Sequence, residues 1–135
     1  MPEDQPLLDA NVLVRYLIRD DPTMLARAKA LIESDQTLGI TVVAVLEGAH
    51  VLEKIYGYDR VSVVDGLVGL IVRANLVGVG IDKDQMAARL MLCRESRSVS
   101  YGDALLAATA ATYGNVPVYT FDRRLHRSGV TALPL

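Results

Sequence analysis

Four short apolar runs recur along this chain, and their alternation with helix-like segments constrains the fold more than any other feature. They are Leu7-Leu8, Leu38-Gly39-Ile40, Leu76-Val77-Gly78-Val79 and Val118-Tyr119-Thr120-Phe121. After the first, Val12, Leu13, Tyr16 and Leu17 take up the helical period. Asp21 then serves as N-cap and Pro22 as first residue of a helix reaching about Ser34. A long apolar helix is expected from about Val42 to Ile55, stopping at Gly57. Asp59 caps the next, to about Ala74, and Asp82 caps another, to about Ser96. Ser100 opens an alanine-rich helix through Thr112 that Gly114-Asn115 terminates, and Val130 to Leu133 reads as a fifth, edge strand. This order predicts an α/β fold with a central, mainly parallel sheet of four to five strands and helices on both faces. At 135 residues the chain has the length of one domain, spanning 1–135.

Composition excludes several classes. With 51% hydrophobic and 22% charged residues and no low-complexity tract, the chain is expected to fold. Cys93 is the single cysteine, so an internal disulfide and a cysteine-based zinc cage are both excluded, and its apolar neighbours predict a buried thiol. The longest apolar stretch, Val61 to Ile81, is broken by Asp65, Arg73 and Asn75, which argues against a membrane span. The start Met1-Pro2-Glu3-Asp4 is acidic and lacks the basic and apolar regions of a leader, so a cytoplasmic protein is expected.

Four acids stand against apolar runs: Asp9, Glu47, Asp103 and Asp122. A carboxylate buried there needs a partner, and a divalent cation could hold several together in one oxygen-ligand site. Asp9 and Asp122 end predicted strands, and Asp103 opens a helix. In open α/β sheets ligands bind beyond the carboxyl ends of the strands, so these three are expected to converge. Each also has a local use. Asp9 can cap a turn, Asp103 can complete a capping box with Ser100, and Asp122 can cap Arg123 to His126. Glu47, inside Val42 to Leu52, has none; it needs an arginine, a metal or solvent. His50, three residues on, is assigned no role.

The formal net charge of −2 hides a cluster. Setting the four acids aside, 12 of the 16 acidic residues remain against 14 basic ones. Arg15, Arg19, Arg27 and Lys29 come early, and Arg123, Arg124, His126 and Arg127 follow Asp122 directly, placing phosphate-binding groups beside a candidate metal ligand.

Taken in order, the acids and their flanks carry a resemblance. The motifs are Leu7-Leu8-Asp9-Ala10-Asn11-Val12-Leu13-Val14-Arg15-Tyr16-Leu17, Val45-Leu46-Glu47 with Val51-Leu52 and Tyr56-Gly57, Gly102-Asp103-Ala104-Leu105-Leu106-Ala107, and Tyr119-Thr120-Phe121-Asp122-Arg123-Arg124-Leu125. The sequence resembles the PIN-domain ribonucleases and, among them, the VapC toxins of type II VapBC toxin-antitoxin systems. It departs from their pattern in the wholly apolar Val42 to Leu46, in Gly48, and in Ser100-Tyr101-Gly102.

The resemblance implies a Mg²⁺-dependent endoribonuclease, with Mn²⁺ as substitute. Asp9 and Asp103 would be the primary metal ligands, Glu47 a ligand directly or through water, and Asp122 the ligand of a second-metal side. Asn11 and Thr120 would support them. Hard carboxylate oxygens suit such ions, and Cys and His are too few for a zinc-type site. Arg15, Arg123, Arg124 and Arg127 are the expected contacts to the RNA backbone; with 5% aromatic residues and no Trp, base stacking is not expected to dominate. A VapB-like antitoxin and a homodimer are expected from the family alone. The alternative is a catalytically weak PIN-fold module that binds RNA or protein. An aspartyl phosphatase would want a second aspartate where Asn11 stands, and a receiver domain a late lysine that this chain lacks.

Overall fold

The computed structural model describes residues 5–135; the acidic start from which the absence of a leader was read, Met1 to Asp4, lies outside it. Six α-helices and four short strands follow in the order α1 (Ala10–Leu17), α2 (Pro22–Ile32), β1 (Leu38–Ile40), α3 (Val42–His50), a π turn (Val51–Ile55), α4 (Arg60–Ile71), β2 (Leu76–Gly78), α5 (Lys83–Met91), α6 (Tyr101–Thr112), β3 (Val118–Thr120), a 3₁₀ turn (Leu125–Ser128) and β4 (Ala132–Pro134). The α/β class and the parallel pairing hold.

Helix starts follow the cap residues. Asp21, Thr41, Asp59, Asp82 and Ser100 each accept a first-turn amide with the side chain, satisfying donors that have no partner within the helix. α6 ends where Gly114 and Asn115 take positive φ, 86° and 60°, the left-handed turn that closes helices. The Ser62 amide, then its hydroxyl, hold the Asp59 carboxyl below its usual range, and Arg94 does the same for Asp65. Because these folded-state values are depressed, the stability they contribute is complete above the unfolded value of about 4 and is lost as pH falls through the folded values. Urea midpoints measured between pH 6 and pH 3 should therefore drop less steeply for Asp59→Ala than for wild type.

The sheet is shorter and more divided than the expected four to five continuous strands. β1 pairs with β2 in parallel, Leu38 opposite Leu76 and Ile40 opposite Gly78. Leu7 adds a single parallel bridge to Gly39, with Leu8 N–H bonded to the Gly39 carbonyl at 2.9 Å. β3 pairs only with β4, also in parallel. Among the described residues no ladder joins the two pairs. Prolines account for part of this, since Pro6, Pro117 and Pro134 each lack the N–H that an extended ladder would use.

The main core gathers apolar side chains from α1 to α6, β1 and β2, among them Leu13, Ile32, Ile40, Leu67, Ile71, Met86 and Leu90. A satellite cluster of Ala107, Ala110, Leu125 and Val130, with Val118 against it, fastens the C-terminal β3–β4 ribbon onto α6. The ribbon leaves Phe121 86% exposed. No helix among the described residues is long and apolar enough to cross a membrane.

Cys93 is fully buried, as its neighbours predict. Burial pushes its thiol up to about 11, against the opposing pull of Arg60. Thiolate, the reactive form, is then scarce. A thiol reagent at pH 8 should titrate no cysteine in the native protein and one after unfolding.

Candidate metal and nucleic-acid site

Leu7 and Gly39 lie side by side in parallel strands, so Asp9 and Thr41 leave the sheet at the same, carboxyl edge. From there α1 and α3 descend packed together, and α3 also packs against α6. Asp9, Glu47 and Asp103 thus ride on one contiguous layer of three helices. Asp122 does not. It belongs to the C-terminal ribbon, which docks lower down α6 through Ala107 and Ala110.

The acids are more exposed than their apolar flanks implied. Asp9, Glu47 and Asp122 lie at the surface, and Asp103 is half-buried. The premise of buried carboxylates is therefore corrected. α3 turns Glu47 outward while Val45, Gly48 and Ala49 face the core. Among the described residues, no three Asp, Glu, His or Cys side chains are drawn together closely enough to hold a metal ion. The single four-acid site read from the sequence is not preassembled here.

Asp9, Glu47 and Asp103 share the absence of a side-chain partner among the described residues. Asp9 stands at the N-cap of α1 with extended backbone and caps nothing. Ser100 Oγ accepts the Asp103 amide at 3.0 Å, yet only half of the expected capping box forms, since the Asp103 carboxylate does not return to the N-cap. The Glu47 carboxylate likewise makes no hydrogen bond or ion pair among the described residues. By contrast Asp21, Asp59 and Asp82 cap helices, Glu33 accepts from Tyr16, and Asp65 forms a two-pronged pair with Arg94. Asp35 and Asp84 are also unpartnered, but they lie in the α2–β1 turn and on α5. Three carboxylates with no partner among the described residues, on adjoining helices, are by donor chemistry a set that suits a Mg²⁺ or Mn²⁺ ion.

Asp122 takes its local role. Its Oδ1 accepts the Arg124 amide at 2.8 Å and lies 3.7 Å from the Arg124 guanidinium. Thr120 Oγ1 accepts the Asp122 amide at 2.9 Å, so it shapes the turn that carries Asp122. With Phe121, Arg123 and His126 they line an open cavity of about 500 Å³. Asn11 borders a different cavity, of about 360 Å³, between α1 and α2 beside Arg15 and Arg27. Arg15 is ion-paired with Asp20 at 3.3 Å. Arg123, Arg124 and Arg127 are exposed around the ribbon turn.

The PIN domain family matches residues 7–130. The chain belongs to the PIN domain family. PIN domains are generally nucleases and typically use divalent metal ions. Neither curated proteins nor solved structures give a significant match.

Sequence reasoning missed a second group of polar residues in this PIN domain. Glu53 on the π turn, Arg60 at the start of α4 and Tyr101 at the start of α6 form a largely enclosed network beside Cys93. Two signals pointed there: Glu53 interrupts an apolar helix, and Tyr101 lies two residues from Asp103.

Proposed function

We propose that this PIN domain is a metal-dependent endoribonuclease and acts as the VapC-type toxin of a VapBC pair. The observation that carries the nuclease reading is that the carboxylates of Asp9, Glu47 and Asp103, on three adjoining helices, have no partner among the described residues. When bound there, a hard divalent ion supplies Lewis-acid chemistry for phosphodiester hydrolysis. Asp9 and Asp103 would be its primary ligands, Glu47 would orient a water or add an oxygen, and Asp122 would serve a second-metal side from the ribbon. Asn11 and Thr120 play supporting parts. Arg15, Arg123, Arg124 and Arg127 receive the RNA backbone through charge-assisted bonds. The toxin assignment rests on the sequence motifs around the acids, and it brings a VapB-like antitoxin, a homodimer and a cytoplasmic setting with it.

The experiment is cleavage of labelled total cellular RNA by antitoxin-free protein with Mg²⁺, Mn²⁺ or EDTA, beside Asp9→Asn and Asp103→Asn proteins. Discrete cuts that require both metal and the two aspartates support the enzyme. Cuts that survive both substitutions refute the site. The dispersed placement of the acids favours one other reading, a PIN-fold module that binds RNA or protein with little catalysis; RNA retention without cutting at any metal concentration would select it.

A further inference from the structure

α3 does not continue as an α-helix past His50. The Tyr56 N–H reaches back five residues to the Val51 carbonyl at 3.1 Å, and this π turn is the type of irregularity that helices keep at functional positions. It delivers Glu53 inward. Glu53 Oε1 accepts the Tyr101 hydroxyl at 3.1 Å and lies 3.6 Å from Arg60 Nε, an ion-pair distance beyond hydrogen-bond length. Arg60 does more than balance this charge. Its Nη1 donates towards the carbonyls of Val99 at 2.8 Å, Ser96 at 3.2 Å and Cys93 at 3.5 Å. Its guanidinium also stacks 4.8 Å from the centre of the Tyr101 ring, while His50 meets that ring edge-on at 6.1 Å.

These contacts converge on the relation between two helices. Val99 immediately precedes Ser100, the N-cap of α6, so Arg60 fixes where α6 begins. Tyr101 is the first residue of α6, and its bond to Glu53 ties that start to the continuation of α3. Glu47 and Asp103 stand on the two elements so joined. Neither carboxylate has a protein partner among the described residues, so its aim depends on its backbone. Glu53 and Arg60 side chains are only 15% and 14% exposed, which makes the clamp enclosed and stiff where a surface ion pair would be slack.

We infer that Arg60 is a positioning residue for the proposed reaction, acting with Glu53 and Tyr101 to set the placement of Asp103 relative to Glu47. The inference rests on the nuclease reading of those acids. Groups that hydrogen-bond a metal ligand control about 10- to 100-fold in affinity or activity; Arg60 touches neither carboxylate and acts through the start of α6, so an effect at the low end of that range is expected.

The test uses the full chain with Arg60→Met, Arg60→Lys and Tyr101→Phe. Mn²⁺ binding is followed by calorimetry without RNA, cleavage of labelled RNA is resolved into kcat and KM, and urea midpoints monitor folding. The expected result for Arg60→Met is about tenfold weaker Mn²⁺ binding and a kcat lowered by about as much, with KM for RNA changed less than about twofold. Arg60→Lys, which keeps the charge and some donors, should recover part of the loss, and Tyr101→Phe should shift both quantities the same way by less. A core control, Ile32→Val, should lower the urea midpoint and leave both unchanged. Folded variants with wild-type Mn²⁺ affinity and kcat would overturn the positioning role. So would an Ile32→Val protein affected equally. If Arg60→Met fails to fold, Tyr101→Phe decides by the same criteria. A wild type that neither binds Mn²⁺ nor cuts RNA overturns the nuclease reading and the inference together, whereas an active wild type with indifferent variants overturns the inference alone.

Discussion

Asp103→Asn protein should cut RNA at least about 100-fold more slowly than wild type while unfolding at nearly the same urea concentration. The separation follows from the way Asp103 is used. Its backbone amide belongs to the Ser100 cap of α6, and asparagine keeps that amide. Its carboxylate bonds to nothing in the protein among the described residues, so neutralising it removes no native hydrogen bond. The structural loss is confined to a favourable charge at a helix N-terminus, worth about 0.3–1 kcal/mol. The functional loss is larger, because a neutral amide oxygen replaces a charged ligand, and even outer partners of a metal control about 10- to 100-fold. Single-turnover cleavage at saturating Mn²⁺ and a urea titration decide the matter. Equal losses of activity and stability, or undiminished cutting, would contradict the assignment.

Gly78→Ala is expected to be among the most destabilising small substitutions in the chain, at about 3 kcal/mol. A Cβ there would run into the Ile81 carbonyl oxygen and would lie 3.1 Å from both the Ile81 carbonyl carbon and the Lys83 nitrogen. All three are backbone atoms, so no side-chain rotation relieves the overlap. The turn from β2 into α5 has to move, and β2 with it, although Gly78 is registered against the buried Ile40. Gly69 provides the contrast. It lies in α4 with nothing within 4 Å of an added Cβ, and Gly69→Ala should stabilise by roughly 0.5–1 kcal/mol through helix entropy. Urea denaturation of the two proteins with a shared slope measures both. Equal effects would show that the β2–α5 turn yields more readily than its backbone contacts imply.

Much of the architecture is legible in the sequence because it is written in local chemistry. Asp21, Asp59, Asp82 and Ser100 announce helix starts within one or two residues, and Gly114-Asn115 announces a helix end. The apolar triplets around Gly39 and Val77 mark strands, buried throughout in β1 and at Leu76 in β2. Features that depend on distant contacts are not written this way. The helix expected to reach Ser96 ends at Met91, and the carbonyls released after it go to Arg60, a residue 33 to 39 positions earlier. The π turn leaves no signature in Val51 to Ile55, because its register is selected by where Glu53 finds Tyr101 and Arg60. The four acids stand out because they interrupt apolar runs, but apolar neighbours in sequence do not establish burial. On α3 the neighbours of Glu47 point to the core and Glu47 itself points to water.

The fastening of the C-terminal ribbon also bears on how the molecule breathes. Among the described residues, 118 to 134 share no ladder with β1 and β2 and are held largely through Val118, Leu125 and Val130 against Ala107 and Ala110 of α6. Such a unit opens at a lower free energy than the rest of a domain. Amide hydrogens of Val118 and its partners should exchange with deuterium well before those of α4 and α6. Asp122 travels with them, so the availability of the fourth acid follows a local opening equilibrium that can change while the midpoint of global unfolding stays where it is.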